Sequence, residues 1–374
     1  MWIHEHDKWP DFTWDARVLA SKLADVRHQQ GRLLGRMEGL GFDLRREASL
    51  ETLTRDVVKS SAIEGEILNP EEVRSSIARR LGLDIAGLVP ASRHVEGIVE
   101  MMLDATQTFS EPLTKDRLFG WHAALFPTGR SGMHKITVGG WRTADAGAMQ
   151  VVSGPAGREK IHFEAPGAER LEKETKTFLA WFEKKTGLDA VLKAGIAHFW
   201  FVTIHPFEDG NGRIARAIGD MALARTDGTA DRFYSLSSQI ERERKAYYDH
   251  LERQQRSDID ITEWLSWFLD CMGHAIASAE MTLGNVLFKA ELWTRINQSP
   301  VNNRQRNVIN RMLEDRFKGF MNTSKYAKLA QCSNDTALRD IQDLVARGIF
   351  LQNEGGGRST SYALAGTSGQ GQEE

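Results

Sequence analysis

Apolar residues recur at three- and four-residue spacing along most of this chain, so helices are predicted to dominate it. From Asp15 to about Leu40, the positions Val18, Leu19, Leu23, Val26, Leu33, Leu34 and Met37 line one helical face. A second helix is predicted from about Ser49 to near Gly65. A third opens at Asn69, with Pro70 in the first helical position and Glu71 and Glu72 in the first turn, all favourable helix-start chemistry. Residues 92–126 read as two more helices, the second opened by Thr114 and carrying Leu118, Trp121, Leu125 and Phe126. Further on, "GAERLEKETKTFLAWFEKK" and "LDAVLKAGIAHFWFVTI" are both helical, and the second is apolar nearly all round, which predicts a central position. That helix runs into His205. Pro206 ends it, residues 209–212 read as a turn, and "RIARAIGDMALAR" resumes the helical period.

One stretch departs from this period. Met149–Val152 and Lys160–Phe163 are short β-prone runs separated by Ser-Gly-Pro-Ala-Gly, the pattern of an isolated hairpin on a helical body. Isolated hairpins are marginal in water, so this one is expected to be mobile or to find a partner strand. Its edge can accept an extended peptide by strand addition; a decorative loop is the alternative reading.

The region 286–365 reads as a separate module. It offers a short helix, a turn around Cys332 and Ser333, a longer helix with Leu338, Ile341, Leu344 and Val345 inward, and two β-like runs around a Gly-rich tip. This is the pattern of a winged helix-turn-helix. Residues 286–364 hold 12 Lys/Arg against 7 Asp/Glu, a net +5 that favours DNA contact. Asp335, Asp340 and Asp343 on the longer helix are expected to repel phosphates, so a protein contact or a homodimer interface is an equal alternative. The tail 366–374 is expected to be disordered.

Composition adds bounds. A chain of 374 residues suggests two or three domains, and its 41% hydrophobic and 26% charged fractions are those of a globular protein. The formal net charge of -3 gives no global pull toward nucleic acid or anionic membrane. Cys271 and Cys332 are far apart without C-x-x-C spacing, which argues against a disulfide framework or zinc knuckle. No membrane span or leader pattern is present, so a cytoplasmic protein is expected.

The candidate chemistry lies in "HPFEDGNGRIAR", residues 205–216, a loop predicted between two core helices. Gly210 and Gly212 flank Asn211, so the backbone can open and its N–H groups can converge on an anion at the start of the next helix. Arg213 and Arg216, three apart, share one face of that helix and suit a polyphosphate. Asp209 can hold Mg²⁺, which takes one or two carboxylates and completes its shell with phosphate oxygens and water. His205, with an ordinary pKa of about 6.5, can take a proton from an attacking hydroxyl. Each feature has a plainer use: a helix connection, a solvated charged face, a helix-end histidine. Their coincidence between buried helices favours a ligand site. A zinc or iron site on His205 and Asp209 lacks a third ligand at motif spacing.

"HPFEDGNGR" followed by Arg216 resembles the signature of Fic-domain proteins, which transfer AMP from ATP to hydroxyl side chains of target proteins. The resemblance covers roughly residues 90–275. It implies a mainly α fold: a Fic-type helical bundle with a β-hairpin flap at 148–166 and the winged-helix-like module appended. The implied domains are an N-terminal helical region 1–88, a catalytic domain 89–285 and the module 286–365. Carried over residue by residue, it makes His205 the base and Asp209 the Mg²⁺ ligand. Gly210, Asn211 and Gly212 then hold the α- and β-phosphates, and Arg213 and Arg216 the β/γ end, with Ile214 and Ala215 between them in the ATP-binding segment. Phe207 packs inward, Glu208 sits at the signature's variable position, and Tyr248, with Gln255 a lesser contact, lines the adenine pocket.

A second stretch, "SSAIEGE" at 60–66, resembles the family's inhibitory motif, here Ser60 through Gly65. Glu64 falls in the last turn of its helix, where a carboxylate faces the negative dipole end and gains from a cation. The resemblance supplies that cation as Arg216, withdrawn from the γ-phosphate within the same chain. The implied activity is protein adenylylation of a Ser, Thr or Tyr hydroxyl with release of pyrophosphate. ATP and Mg²⁺ are the implied cofactors. The partner is a target protein docked along the flap, or this protein itself. The alternatives are a nucleotide-sensing DNA-binding regulator and removal of AMP by the same site.

Overall fold

Asp15 caps the first helix in the computed structural model of the chain, its carboxylate accepting from the Arg17 N–H at 2.9 Å, and α1 spans Ala16–Glu38. The structure describes residues 1–83, 87–155, 158–298, 300–313, 317, 319–353 and 360–365. The buried stripe of α1 runs through Leu19, Val26, Gln30, Leu33 and Met37. Val18 lies off that stripe and is 54% exposed, against the expectation that it packs inward. The second helix, α2, spans Phe42–Ile63 and so begins seven residues before the expected start. Gly41 caps it without a side-chain bond, so no sequence signal marked the true start. Asn69 caps α3 (Pro70–Arg80), Ser92 caps α4 (Arg93–Gln107) and Thr114 caps α5 (Lys115–Leu125).

Between α5 and the expected hairpin lies an unanticipated one, β1 (Arg130–Ser131) with β2 (His134–Lys135), too short to show a two-residue period. The flap follows as β3 (Gln150–Ser153) and β4 (Lys160–Glu164), antiparallel, with a register shift between Val151 and Val152. Its sheet has two strands and no third partner among the described residues. Residues 156 and 157 of its turn lie outside them.

The remaining helices are α6 (Leu171–Glu183), α7 (Ala190–Ile204), α8 (Asn211–Asp227), α9 (Leu236–Arg242), α10 (Arg244–Gln255) and α11 (Thr262–Gln298). Side chains of α10 and its C-cap anchor the flap: Glu252 pairs with His162 at 2.5 Å and Lys160 at 3.0 Å, and Arg256 donates to the Ile161 carbonyl at 2.6 Å. Helix α7 is central as expected, buried from Ala194 through Ile204. Trp264 of α11 donates its indole N–H to the Gly195 carbonyl of α7 at 2.9 Å.

The chain divides into two compact units, Met1–Glu280 and Met281–Glu374. The N-terminal helices and the 205–216 loop thus share one unit. The second unit holds α12 (Asn303–Met312), α13 (Thr323–Ala330), α14 (Asn334–Ala346), β5 (Phe350–Gln352) and β6 (Tyr362–Leu364) around a core of Val308, Ile309, Tyr326, Ile341, Leu344 and Phe350. Leu338, expected inward, is 40% exposed. Asp340 faces inward instead, accepting from Arg304 at 3.0 Å and Tyr326 at 3.2 Å, and Asp343 accepts from Gln305 and Arg347. Two of the three acids expected to repel phosphate are therefore neutralised inside the unit. The Gly-rich tip and the tail 366–374 lie outside the described residues. Neither Cys271 nor Cys332 is in a disulfide. Among the described residues no helix is long and apolar enough to cross a membrane.

Candidate active site

Helix α7 ends in a residue bent against its own preference. His205 sits in the left-handed region at φ 52, ψ 57, which costs a residue with a Cβ about 1–2 kcal/mol. Three contacts hold it there. Its N–H donates to the Phe201 carbonyl at 3.1 Å, its Nδ1 lies 3.1 Å from the Val202 carbonyl, and its own carbonyl accepts from Arg142 Nε at 2.8 Å. A carbonyl only accepts, so Nδ1 carries the proton and neutral His205 keeps its lone pair on Nε2. Burial lowers its pKa to about 4; the bond to Val202 and the charges of Glu64 and Asp209 raise it, while the Arg142 charge lowers it further. The ring is therefore neutral at physiological pH.

Arg142 was not anticipated, because nothing in its local sequence marks it. It is buried, it donates to the Pro166 carbonyl at the flap's base, and its N–H donates to the Pro206 carbonyl at 3.0 Å. It thus ties the 205–216 loop to the chain just past the flap strand. Phe207 packs inward as expected, stacked on His122 at 4.1 Å and 6°. Burial pushes the His122 pKa down to about 4, so that ring stays neutral beside the loop.

Asn211 closes the loop with its side chain. Its Oδ1 accepts from the Phe207 N–H at 2.9 Å and its Nδ2 donates to the Phe207 carbonyl at 2.8 Å. Gly210 takes φ +82 as N-cap of α8, and a Cβ there would lie 2.9 Å from the Phe126 ring. Gly212 differs from expectation: it is helical, in the first turn of α8, and needs space instead of an unusual φ. A Cβ on it would collide with the Glu64 carboxylate, which lies over this first turn. Ile214 and Ala215 are fully buried, and the Ile214 N–H donates to the Gly210 carbonyl at 3.0 Å, so neither of these two expected ATP-binding residues is open to a ligand. Asp209 accepts from the Gly210 N–H at 2.5 Å and from the Ser131 hydroxyl on β1, a second residue the sequence did not flag. Glu208 accepts from the Thr137 N–H at 3.2 Å.

Both arginines are engaged by the 60–66 segment. Arg216 is buried; its Nη2 lies 2.9 Å from Glu64 Oε1, its Nε donates to Ser60 Oγ at 2.9 Å and its Nη2 to the Ser60 carbonyl at 2.8 Å. Arg213, which was expected to be free for nucleotide, donates from Nη1 to Glu66 Oε2 at 3.0 Å and lies over the Phe126 ring. Glu66 stood in the quoted motif without a role. Tyr248 donates its hydroxyl to the Ile63 carbonyl at 3.3 Å, and buried Gln255 donates to the Thr203 hydroxyl at 3.3 Å. Among the described residues no group of three or more His, Cys, Asp or Glu could hold a metal ion.

A mainly helical core thus gathers His205, a glycine-led helix N-terminus and two arginines on one loop. The Fic/DOC family model matches residues 112–223, and the chain carries a Fic/DOC domain. A domain of unknown function, DUF4172, matches residues 2–83. The chain is 24% identical over 219 residues to Protein adenylyltransferase Fic of Nematostella vectensis, covering 57% of this chain and 46% of that protein. The Aedes aegypti protein of the same name is 24% identical over 237 residues, covering 60% and 41%. The chain thus spans less than half the length of these two relatives. A Fic family protein from Desulfovibrio desulfuricans G20 shares the fold at TM-score 0.55 and 20% identity, covering 97% of this chain and 99% of that one. A Fic domain containing signaling protein from Bacteroides thetaiotaomicron VPI-5482 does so at TM-score 0.51 and 18% identity, covering 70% and 98%.

Proposed function

We propose that this protein transfers AMP from ATP to a Ser, Thr or Tyr hydroxyl of a target protein, releasing pyrophosphate, and that Glu64 holds it inactive from within the chain. The observation that carries the reading is the tautomer imposed on His205: its Nδ1–H donates to the Val202 carbonyl, which leaves the Nε2 lone pair as a base. A nucleotide sensor would need the anion-binding loop and no base.

In this reading the hydroxyl oxygen attacks the α-phosphorus while Nε2 accepts its proton, and the bond to the β-phosphate oxygen breaks. The α8 N-terminus and the arginines stabilise charge on the departing pyrophosphate, chemistry that rests on positioning and fixed dipoles. Asp209, held by Ser131 and Gly210, is the residue that would hold Mg²⁺, which would neutralise phosphate charge when bound with ATP. Glu64 blocks this by lying over Gly212 and pairing with Arg216. Its side chain is one-third exposed, so its hold on the buried arginine is discounted to about 1–3 kcal/mol, roughly 10- to 100-fold in the open population.

The test is protein labelling by α-³²P ATP and by γ-³²P ATP with Mg²⁺. Glu64→Gly should raise α-labelling about 10- to 100-fold over wild type, His205→Ala should abolish it, and the γ-label should stay off protein. Equal labelling by wild type and Glu64→Gly would sink autoinhibition; γ-label on protein would sink AMP transfer.

A further inference from the structure

We propose that the inhibitory segment is a double clamp, in which Glu66 withdraws Arg213 from the nucleotide as Glu64 withdraws Arg216. The proposal rests on the reading of the loop as an ATP site. Its geometry is independent of the Glu64 contact.

Helix α2 stops at Ile63, and Gly65 turns the chain at φ +85. The Glu66 N–H then donates back to the Ser61 carbonyl at 3.0 Å, so the chain folds over its own helix end. This turn sends two acids, two residues apart, to two arginines that are three residues apart on α8. Glu66 uses both oxygens: Oε2 takes Arg213, and Oε1 takes His94 Nε2 at the start of α4. The bond to His94 fixes the carboxylate from the side opposite Arg213. Burial pushes the Glu66 pKa up, but His94 and Arg213 outweigh it and hold the carboxylate below its ordinary value.

An ion pair built only for stability would satisfy the arginine. Arg213 is instead buried with its Nε lacking a hydrogen-bond partner among the described residues, and it stands one helical turn from Arg216, whose Nη1 likewise has none among them. Each guanidinium keeps donor capacity that a phosphate can use. Glu66, by contrast, is partly exposed, so it can leave for water when a phosphate replaces it on Arg213.

The decisive experiment is calorimetric titration of the full chain with Mg·ATP in the Glu64→Gly background. Adding Glu66→Gln should tighten binding about tenfold, and adding His94→Gln should move affinity the same way by less. Removing any acid near an anion site has a generic charge effect, so the same step is repeated with Arg213→Gln present. There the gain from Glu66→Gln should vanish. A gain that persists without Arg213, or no gain at all, overturns the second clamp. Tightened binding without α-label on protein overturns AMP transfer and leaves the clamp standing. If no variant binds Mg·ATP, both fall.

Discussion

At the residue scale the loop is held by side chains that never touch the proposed reaction. Arg142 is the clearest: a buried residue whose guanidinium bonds the Pro166 carbonyl and, through Nε, the His205 carbonyl at 2.8 Å, tying two backbone segments together. In the Glu64→Gly background, Arg142→Gln should lower kcat about 10- to 100-fold while KM for ATP changes little, because small misplacements of a base are costly and the arginine does not face the nucleotide. Arg142→Lys, which keeps charge and one donor, should recover part of the loss. A rise in KM with kcat intact would show that Arg142 serves binding instead. His205, Asp209, Gly210 and Arg216 were legible in the sequence because their spacing is local. Arg142, Ser131 and His122 were not, since each reaches the loop from 63 or more residues away with no motif of its own.

At the element scale the turn after α2 sets the register of both acids. Gly65 has open space around its Cα, so Gly65→Ala strains only the backbone, by about 1–2 kcal/mol in the left-handed region. That strain should misplace Glu64 and Glu66 together. The expected outcome is α-labelling raised above wild type with a thermal midpoint lower by only a few degrees; labelling unchanged at lowered stability would show that the clamp tolerates the turn's distortion. Helices with side-chain caps were legible to within a residue or two, as at Asn69 and Thr114. Helix α2, capped by Gly41, began earlier than its pattern announced, and β1 and β2 were too short to leave a period. The flap was placed correctly, but its anchoring by Glu252 and Arg256 is a long-range side-chain matter.

At the scale of the whole molecule, three histidines tie stability to pH. Burial lowers His122 and His205 to about 4 and His198 to about 3, whereas an unfolded histidine titrates near 6.5. Below pH 6.5 the unfolded chain therefore binds protons that the fold does not, so stability is present above 6.5 and is lost as pH falls toward 4. Each histidine contributes up to about 1.4 kcal/mol per pH unit in that window. The thermal midpoint should drop steadily from pH 6.5 to 4.5, and His198→Gln should flatten the drop; a midpoint constant over that range would contradict the assignment. The embedding of α2 has a separate consequence. Asp56 accepts from Ser235 and Ser237, Leu53 and Val57 are buried, and Ser60 holds Arg216, so the helix cannot leave without unfolding the unit. On the proposed reading, release of the loop would then be a change of rotamer in two partly exposed carboxylates and not a movement of the helix. Inhibition of this kind has no clock: it sets a fraction of time spent open, which any ligand favouring that fraction can enlarge at once.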